Sequence, residues 1–357
     1  MTRALIVGGG LAGAAAASVL GRGAVLHERA AAAHDKICGE FLSVEAGETL
    51  ARLGFDLDRL GGSRLDTVRI HSGDRTVAAR LPFVATGISR RVLDEALLAH
   101  AALRGAEIVH AGIASLEEAR SCAKGGALLI ATGKHELRGV GRDRAGCIDR
   151  MIGLKQYFCA PALAARLGSA VEITLFEGGY AGLQRVENGV INLCLLIENE
   201  RFRALGSTFE AVFYMLLTEK GLERLADAEP LLPKPLTIAG VPYGYLASPA
   251  DNLWRLGDQA AVIPSFCGDG MAIALHSGRL AATMLTAGAG PRAYQHQLRV
   301  DVGRQVRLAT NTQRLASTRA GRFVLLAGLQ AVPALMGVLA RWTRVDQHAL
   351  PEIRHTG

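Results

Sequence analysis

The chain opens on an unbroken apolar run, Ala4-Leu5-Ile6-Val7, which passes directly into Gly8-Gly9-Gly10-Leu11-Ala12-Gly13. A short apolar run that stops at glycine reads as a buried strand. Ala14 to Leu20 is rich in helix formers and reads as the helix that follows. Gly23 to Glu28 is a second strand. Val44 to Leu53 is a helix, since Leu50 and Leu53 share a face. Arg64 to His71 then alternates polar and apolar residues, Ser72-Gly73-Asp74 signals a turn, and Thr76 to Leu81 resumes extended structure. That pattern is a hairpin of a second sheet. Ser89 opens a helix through Leu103 with Leu93, Leu97 and Leu98 at helical spacing. Gly105 stops it, and Glu107 to His110 and Ala127 to Gly133 are further strands.

The middle of the chain changes character. Val171 to Glu177, Tyr180 to Glu187 and Val190 to Ile197 form a three-strand meander, with turns at Gly178-Gly179 and Asn188-Gly189. Asn-Gly between apolar runs is a strong hairpin signal. Helices are expected from Phe202 to Leu225. Parallel α/β signals return at Leu253 to Asp258, followed by Ile263 to Met271 and a helix through Leu285; beyond Pro291 the chain is helical and basic. The expected fold is α/β. A discontinuous Rossmann-like domain (1–63, 84–150 and 250–290) carries an inserted antiparallel-sheet domain (64–83 and 151–249), and 291–357 forms a C-terminal helical segment.

At 357 residues, half of them hydrophobic, the chain can bury a large core. Its net charge of +7 and pI near 9.3 admit acidic partners. No nucleic-acid motif or interleaved basic-aromatic cluster is present, so nucleic acid is set aside. Arg3, the apolar run and Ala14-Ala15-Ala16-Ala17 imitate a secretory signal peptide, but the glycine spacing explains the same residues better. The cysteines at 38, 122, 147, 159, 194 and 267 lack paired spacing. That fits reduced cytoplasmic thiols and offers no metal site.

Gly8, Gly10 and Gly13 match G-x-G-x-x-G between strand and helix. Gly8 permits the tight turn. Gly10 leaves room for a pyrophosphate beside the backbone, and Gly13 lets helix and strand lie close. The helix start, at Leu11 and Ala12, then offers free N–H groups and a positive dipole end. A ribose-binding acid is expected about 20 residues after the first glycine, and Glu28 stands there.

Several segments taken in order carry a resemblance. Gly8-x-Gly10-x-x-Gly13 with Glu28-Arg29, Ala131-Thr132-Gly133, and Gly257-Asp258 ahead of Gly268-Asp269-Gly270-Met271 resemble FAD-dependent oxidoreductases of the para-hydroxybenzoate hydroxylase-like superfamily. Lys36-x-Cys38-Gly39-Glu40 and Gly179-Tyr180-x-Gly182 look like the geranylgeranyl reductase-related branch. The resemblance covers about residues 1 to 290 and implies non-covalent FAD. It places Glu28, with Arg29 beside it, at the adenosine ribose. Lys36, Cys38 and Arg90 would lie beside the cofactor, Thr132 and Gly133 at a strand end near it, and Asp258 on the ribityl chain. Gly268, Gly270 and Met271 would present backbone N–H groups. Cys38, Glu40 and Tyr180 are the implied catalytic candidates, with Gln184 on the substrate side. Glu40 departs from the branch, which usually has glycine there. A buried carboxyl with a raised pKa would be a proton donor; the other reading is a small cysteine and a charged loop residue. Cys267 reads as packing.

Other departures narrow the activity. The hydroxylases usually carry an acid where Thr132 stands, which weakens transfer of their NAD(P)H handling. No second glycine cradle exists for a resident nicotinamide, so NAD(P)H is at most a transient donor. The Trp-x-Trp-x-Ile-Pro signature of flavin halogenases is absent, with Trp254 and Trp342 standing alone. Reduction or dehydrogenation of a hydrophobic isoprenoid or polyketide-like substrate leads. Aromatic or polyketide hydroxylation and a non-catalytic electron carrier remain alternatives. Phe323 to Ala340 has no charged residue and is flanked by Arg319, Arg322, Arg341 and Arg344. As a helix it would span about 27 Å. Pro333 interrupts it, so burial against the chain's own domains or peripheral membrane contact through 319–344 are the readings kept.

Overall fold

In the computed structural model, which describes residues 3–331, two layers face each other. The elements in chain order are β1 (Ala4–Val7), α1 (Leu11–Leu20), β2 (Ala24–His27), β3 (Phe41–Leu42), α2 (Val44–Arg52), β4 (Ser63–Ser72), β5 (Arg75–Gly87), α3 (Arg90–Leu103), β6 (Glu107–Val109), α4 (Leu116–Ala123) and β7 (Leu128–Ile130). They continue with β8 (Met151–Cys159), α5 (Pro161–Leu167), β9 (Ala170–Phe176), β10 (Gly179–Arg185), β11 (Ile191–Glu198), α6 (Asn199–Ala204), α7 (Phe209–Leu216), β12 (Glu229–Pro230), β13 (Leu236–Ala239), β14 (Trp254–Arg255), α8 (Gly270–Thr286), α9 (Pro291–Ser317) and α10 (Arg319–Ala331).

The first layer is a five-stranded parallel sheet in the order β14-β7-β1-β2-β6. Its strands are short, and the central β1 and β7 are wholly apolar, as expected where helices cover both faces. Strand order reverses at β1, so the crevice at its carboxyl end is the ligand-binding position of such sheets. The glycines set that packing. A Cβ on Gly13 would lie 1.9 Å from the Gly8 carbonyl oxygen, and one on Gly278 of α8 would lie 2.1 Å from that of Ala12.

The second layer is a nine-stranded sheet, β12-β8-β11-β10-β9-β4-β5-β3, with β13 also on β8. Alternation divides its faces. Leu183, Leu193, Leu195 and Ile197 point to a core shared with α5 and α7. Tyr180, Gln184, Asn192 and Lys155 point to the first layer, as their partners there show.

The expected architecture is present, with corrections in detail. Residues 41–42 and 84–87 lie in the second sheet, because β5 pairs with β4 as far as Gly87 and with Phe41–Leu42 at its end. Pro82 sits where that pairing shifts register, so its missing N–H costs no ladder bond. The sheet also holds one parallel pair, β4 with β9. The expected C-terminal helical segment is present as α9 and α10, and α9 packs on the first layer. Tyr294, Leu298, Val302, Val306 and Ala309 of α9 belong to the first layer's core. Of the apolar run 323–340, residues 332–340 lie outside the described residues.

Candidate active site between the layers

Gly8 takes φ +109°, which only glycine adopts without strain, and a Cβ there would lie 2.4 Å from the Ala131 carbonyl oxygen. Gly10 caps α1 with no side-chain hydrogen bond to the helix start. The space beside Gly10 is open. A Cβ there would meet nothing nearer than Arg90 Nη2 at 3.6 Å and Lys36 Nζ at 3.9 Å. A bare helix N-terminus thus faces two cations across a space one side chain wide.

Asp94 holds both cations. It accepts from Arg90 Nε and Nη2 at 2.8 Å and from Lys36 Nζ at 2.7 Å. Burial works against the Arg90 charge, but Asp94 outweighs it and raises the guanidinium pKa, with Cys38 and Asp258 adding smaller contributions. Burial would likewise raise Asp94, and the two cations bring it below its usual value instead. Two positive charges against one negative leave the site positive, as a diphosphate needs.

Glu28 closes β2 and accepts from the N–H groups of Gly9 at 2.7 Å and Ala30 at 2.9 Å. Arg29 is exposed, and Asp258 is half-buried in the turn after β14. The Thr132 hydroxyl donates to the His135 carbonyl at 2.7 Å, so it braces its own turn. Gln259 donates to the carbonyls of Gly133 and His135, and Arg142 to those of Lys134 and Asp258. Gly268 takes φ +74° in close contact with Phe41, and Gly270-Met271 begins α8. Glycine cradle, a helix start without a side-chain cap, excess positive charge and the acid that closes β2 together fit FAD.

Cys38-Gly39-Glu40 bridges the layers. Asn192 donates to the Gly39 carbonyl at 2.9 Å, and Gln184 to that of Glu40 at 2.8 Å. The Glu40 side chain is completely buried with φ +61°. Its Oε1 pairs with Lys155 Nζ at 2.5 Å and accepts from Tyr157 at 2.6 Å and from the Arg90 N–H at 2.8 Å. Burial pushes the Glu40 carboxyl up, against the pull of Lys155, Tyr157 and the Arg90 N–H. Lys155 also donates to the Lys36 carbonyl at 3.0 Å. Glu40 is therefore a strut between the layers; it does not line the cavity described next. Sequence reading missed Asp94, Lys155 and Tyr157. An acid one helical turn after Arg90 was the available signal for Asp94.

The cavity lies between the second sheet and the 265–268 turn and has a volume of about 320 Å³. Val68, Ile70, Leu81, Val171, Ile173 and Leu196 make its walls apolar. Tyr180, Gln184, Cys194, Ser265, Cys267 and Gly268 line it where it meets the turn, together with the backbone on either side of Glu40. Arg314 and Ser317 of α9 are its exposed lining residues. Among the described residues no cluster of His, Cys, Asp and Glu could hold a metal ion.

A parallel layer with a glycine cradle, faced by a mixed sheet across an apolar cavity, is the fold of FAD-binding flavoproteins. No family model matches the chain. It is 27% identical over 327 residues to a menaquinone reductase from Mycolicibacterium smegmatis, covering 80% of this chain and 76% of that one. The flavin-dependent brominase Bmp2 superposes with a TM-score of 0.75 at 15% identity, over 96% of this chain and 93% of that one. A point mutant of the halogenase PltM in complex with FAD gives 0.72 at 14% identity, over 93% and 83%. At such identities the structures establish the fold.

Proposed function

We propose that the protein is an FAD-dependent reductase acting on an activated carbon–carbon double bond of a hydrophobic, isoprenoid- or quinone-type substrate. The observation that carries this reading is the apolar cavity, walled by Val68, Ile70, Leu81, Val171, Ile173 and Leu196 and lined at one end by the 265–268 turn. The relative named menaquinone reductase supports the same substrate class. Bound FAD would supply the hydride at its ring, and the protein supplies binding, orientation and exclusion of water. Lys36, Arg90 and the start of α1 would hold the diphosphate, Glu28 the ribose, and Asp258 the ribityl chain. The Glu40–Lys155 strut fixes the loop carrying Lys36 and the N–H of Arg90. NAD(P)H is proposed as a visiting electron donor.

The test begins with purification. The protein is expected to be yellow and to release FAD on denaturation. After anaerobic reduction of the flavin, a short-chain menaquinone should reoxidise it within turnover time, and the recovered product, after its ring is reoxidised in air, should carry two added hydrogens across a carbon–carbon double bond. Oxygen consumption coupled to a hydroxylated product would replace reduction with hydroxylation. A protein that ignores added FAD would remove the assignment altogether.

Membrane-peripheral placement is proposed with it. Leu315, Phe323 and Val324 are exposed near Arg314 and Arg322, and Arg75 lies over the Phe323 ring at 4.7 Å. Apolar groups among cations suit an anionic lipid surface. Among the described residues no helix is long and apolar enough to cross a membrane.

A further inference from the structure

The cavity wall is mostly apolar, with polar lining at the 265–268 turn, at Glu198 and at the α9 end, where Thr312, Gln313, Arg314 and Ser317 stand. At the turn the Tyr180 hydroxyl is buried and makes no hydrogen bond of full geometry among the described residues. Ser265 stands beside the phenol, near enough to act on it as a weak hydrogen-bonding neighbour, and its hydroxyl donates to Tyr243 Oη at 3.4 Å. Leaving a buried hydroxyl unpaired costs roughly 1–3 kcal/mol, so such a group in a native structure asks for a ligand or a water. The phenol is fixed in place, with the Phe266 ring edge-on to it at 5.9 Å and 85°. Burial first, then neighbouring Tyr243, Cys194 and Cys267, hold its pKa well above the usual phenol range. At neutral pH Tyr180 is therefore a donor and not a base.

Size sets a second constraint. A cavity of about 150 Å³ holds one benzene ring. The present one, at about 320 Å³, has room for roughly two rings or an equivalent length of branched chain. A long lipid tail does not fit and must leave by the exposed lining at Arg314 and Ser317.

We propose that Tyr180 is a specificity-determining residue. It donates to a carbonyl oxygen conjugated with the bond to be reduced, so that the ligand is a quinone or enone bound oxygen-inward, with its apolar remainder directed outward. This inference rests on the reductase reading and narrows its substrate class. A plain hydrocarbon double bond would leave the hydroxyl unpaired. A hydrogen bond to a conjugated carbonyl draws charge from the double bond, which is the polarisation a hydride acceptor needs.

The test is a binding measurement on the oxidised, FAD-loaded protein. Equilibrium dialysis compares dimethylnaphthoquinone with dimethylnaphthalene, in wild type and in Tyr180→Phe. The variant should bind the quinone about tenfold more weakly, the equivalent of about 1.4 kcal/mol, and the hydrocarbon equally well. Equal loss for both ligands, or loss for neither, overturns the proposal, as does failure of the wild type to bind the quinone. Tyr180-dependent quinone binding without any reduction would strike the reductase reading alone. Quinone reduction by a variant with unchanged quinone affinity would strike this inference alone.

Discussion

Glu40 carries a cost twice over. A left-handed backbone at a non-glycine residue costs of order 1–3 kcal/mol, and its carboxylate is removed from water entirely. Lys155, Tyr157 and the Arg90 N–H offset the second cost. Breaking one side of a buried pair leaves an uncompensated charge, worth roughly 3–5 kcal/mol. Glu40→Gln should therefore lower the unfolding free energy from urea titration by about 3–5 kcal/mol. The double variant Glu40→Gln with Lys155→Met should recover much of it, because the stranded ammonium is gone. A single variant as stable as wild type would remove the strut. Little of this was legible. The sequence marks Glu40 as a departure from a glycine, but its partner lies 115 residues away in a strand without apolar–polar alternation, Met-Ile-Gly-Leu-Lys-Gln-Tyr-Phe-Cys.

At the scale of elements, the glycines of α1 and α8 divide into two kinds. Gly278 touches backbone, and a methyl there cannot be accommodated without moving α8 off α1. Gly10 faces open space bordered by Arg90 and Lys36. Gly278→Ala should destabilise the apoprotein by about 1–3 kcal/mol, the usual range for overpacking. Gly10→Ala should leave apoprotein melting unchanged and weaken FAD binding at least tenfold. Thermal melts of the apoproteins and flavin titration separate the two, and loss of apoprotein stability in Gly10→Ala would contradict the open cradle. Strand, glycine turn, helix and Glu28 were readable because all lie within one local unit of about 30 residues. The Arg64–Leu81 hairpin and the Asn188-Gly189 turn were readable for the same reason. β8 was not, since a strand whose polar residues are all satisfied by distant partners gives no periodic signal.

For the whole molecule, the two layers meet at polar bridges around residues 36–40 and across an apolar cavity, so that segment and the cavity wall share Gly39 and its neighbour Phe41. One end of that cavity reaches the surface at α9, near the exposed Leu315, Phe323 and Val324. Co-sedimentation with anionic vesicles at low salt, weakened by added salt and absent with neutral vesicles, is the expected behaviour. A folded, FAD-loaded protein that stays in the supernatant with both would end the membrane proposal. The site between the layers was only half legible. The cofactor side follows from local motifs, whereas the cavity exists only once distant strands pair.

The pairing of β4 with β9 joins Thr67 to Ala170 and Ile70 to Ile173. Closing a loop of that length pays its entropy before any contact rewards it. As the chain leaves the ribosome, the β4–β5 hairpin is made early and waits with one edge bare until β9 arrives. An unpaired edge is a template for foreign strands. Shelter of that edge, by early docking on the parallel layer or by a chaperone, then protects assembly until β9 is made.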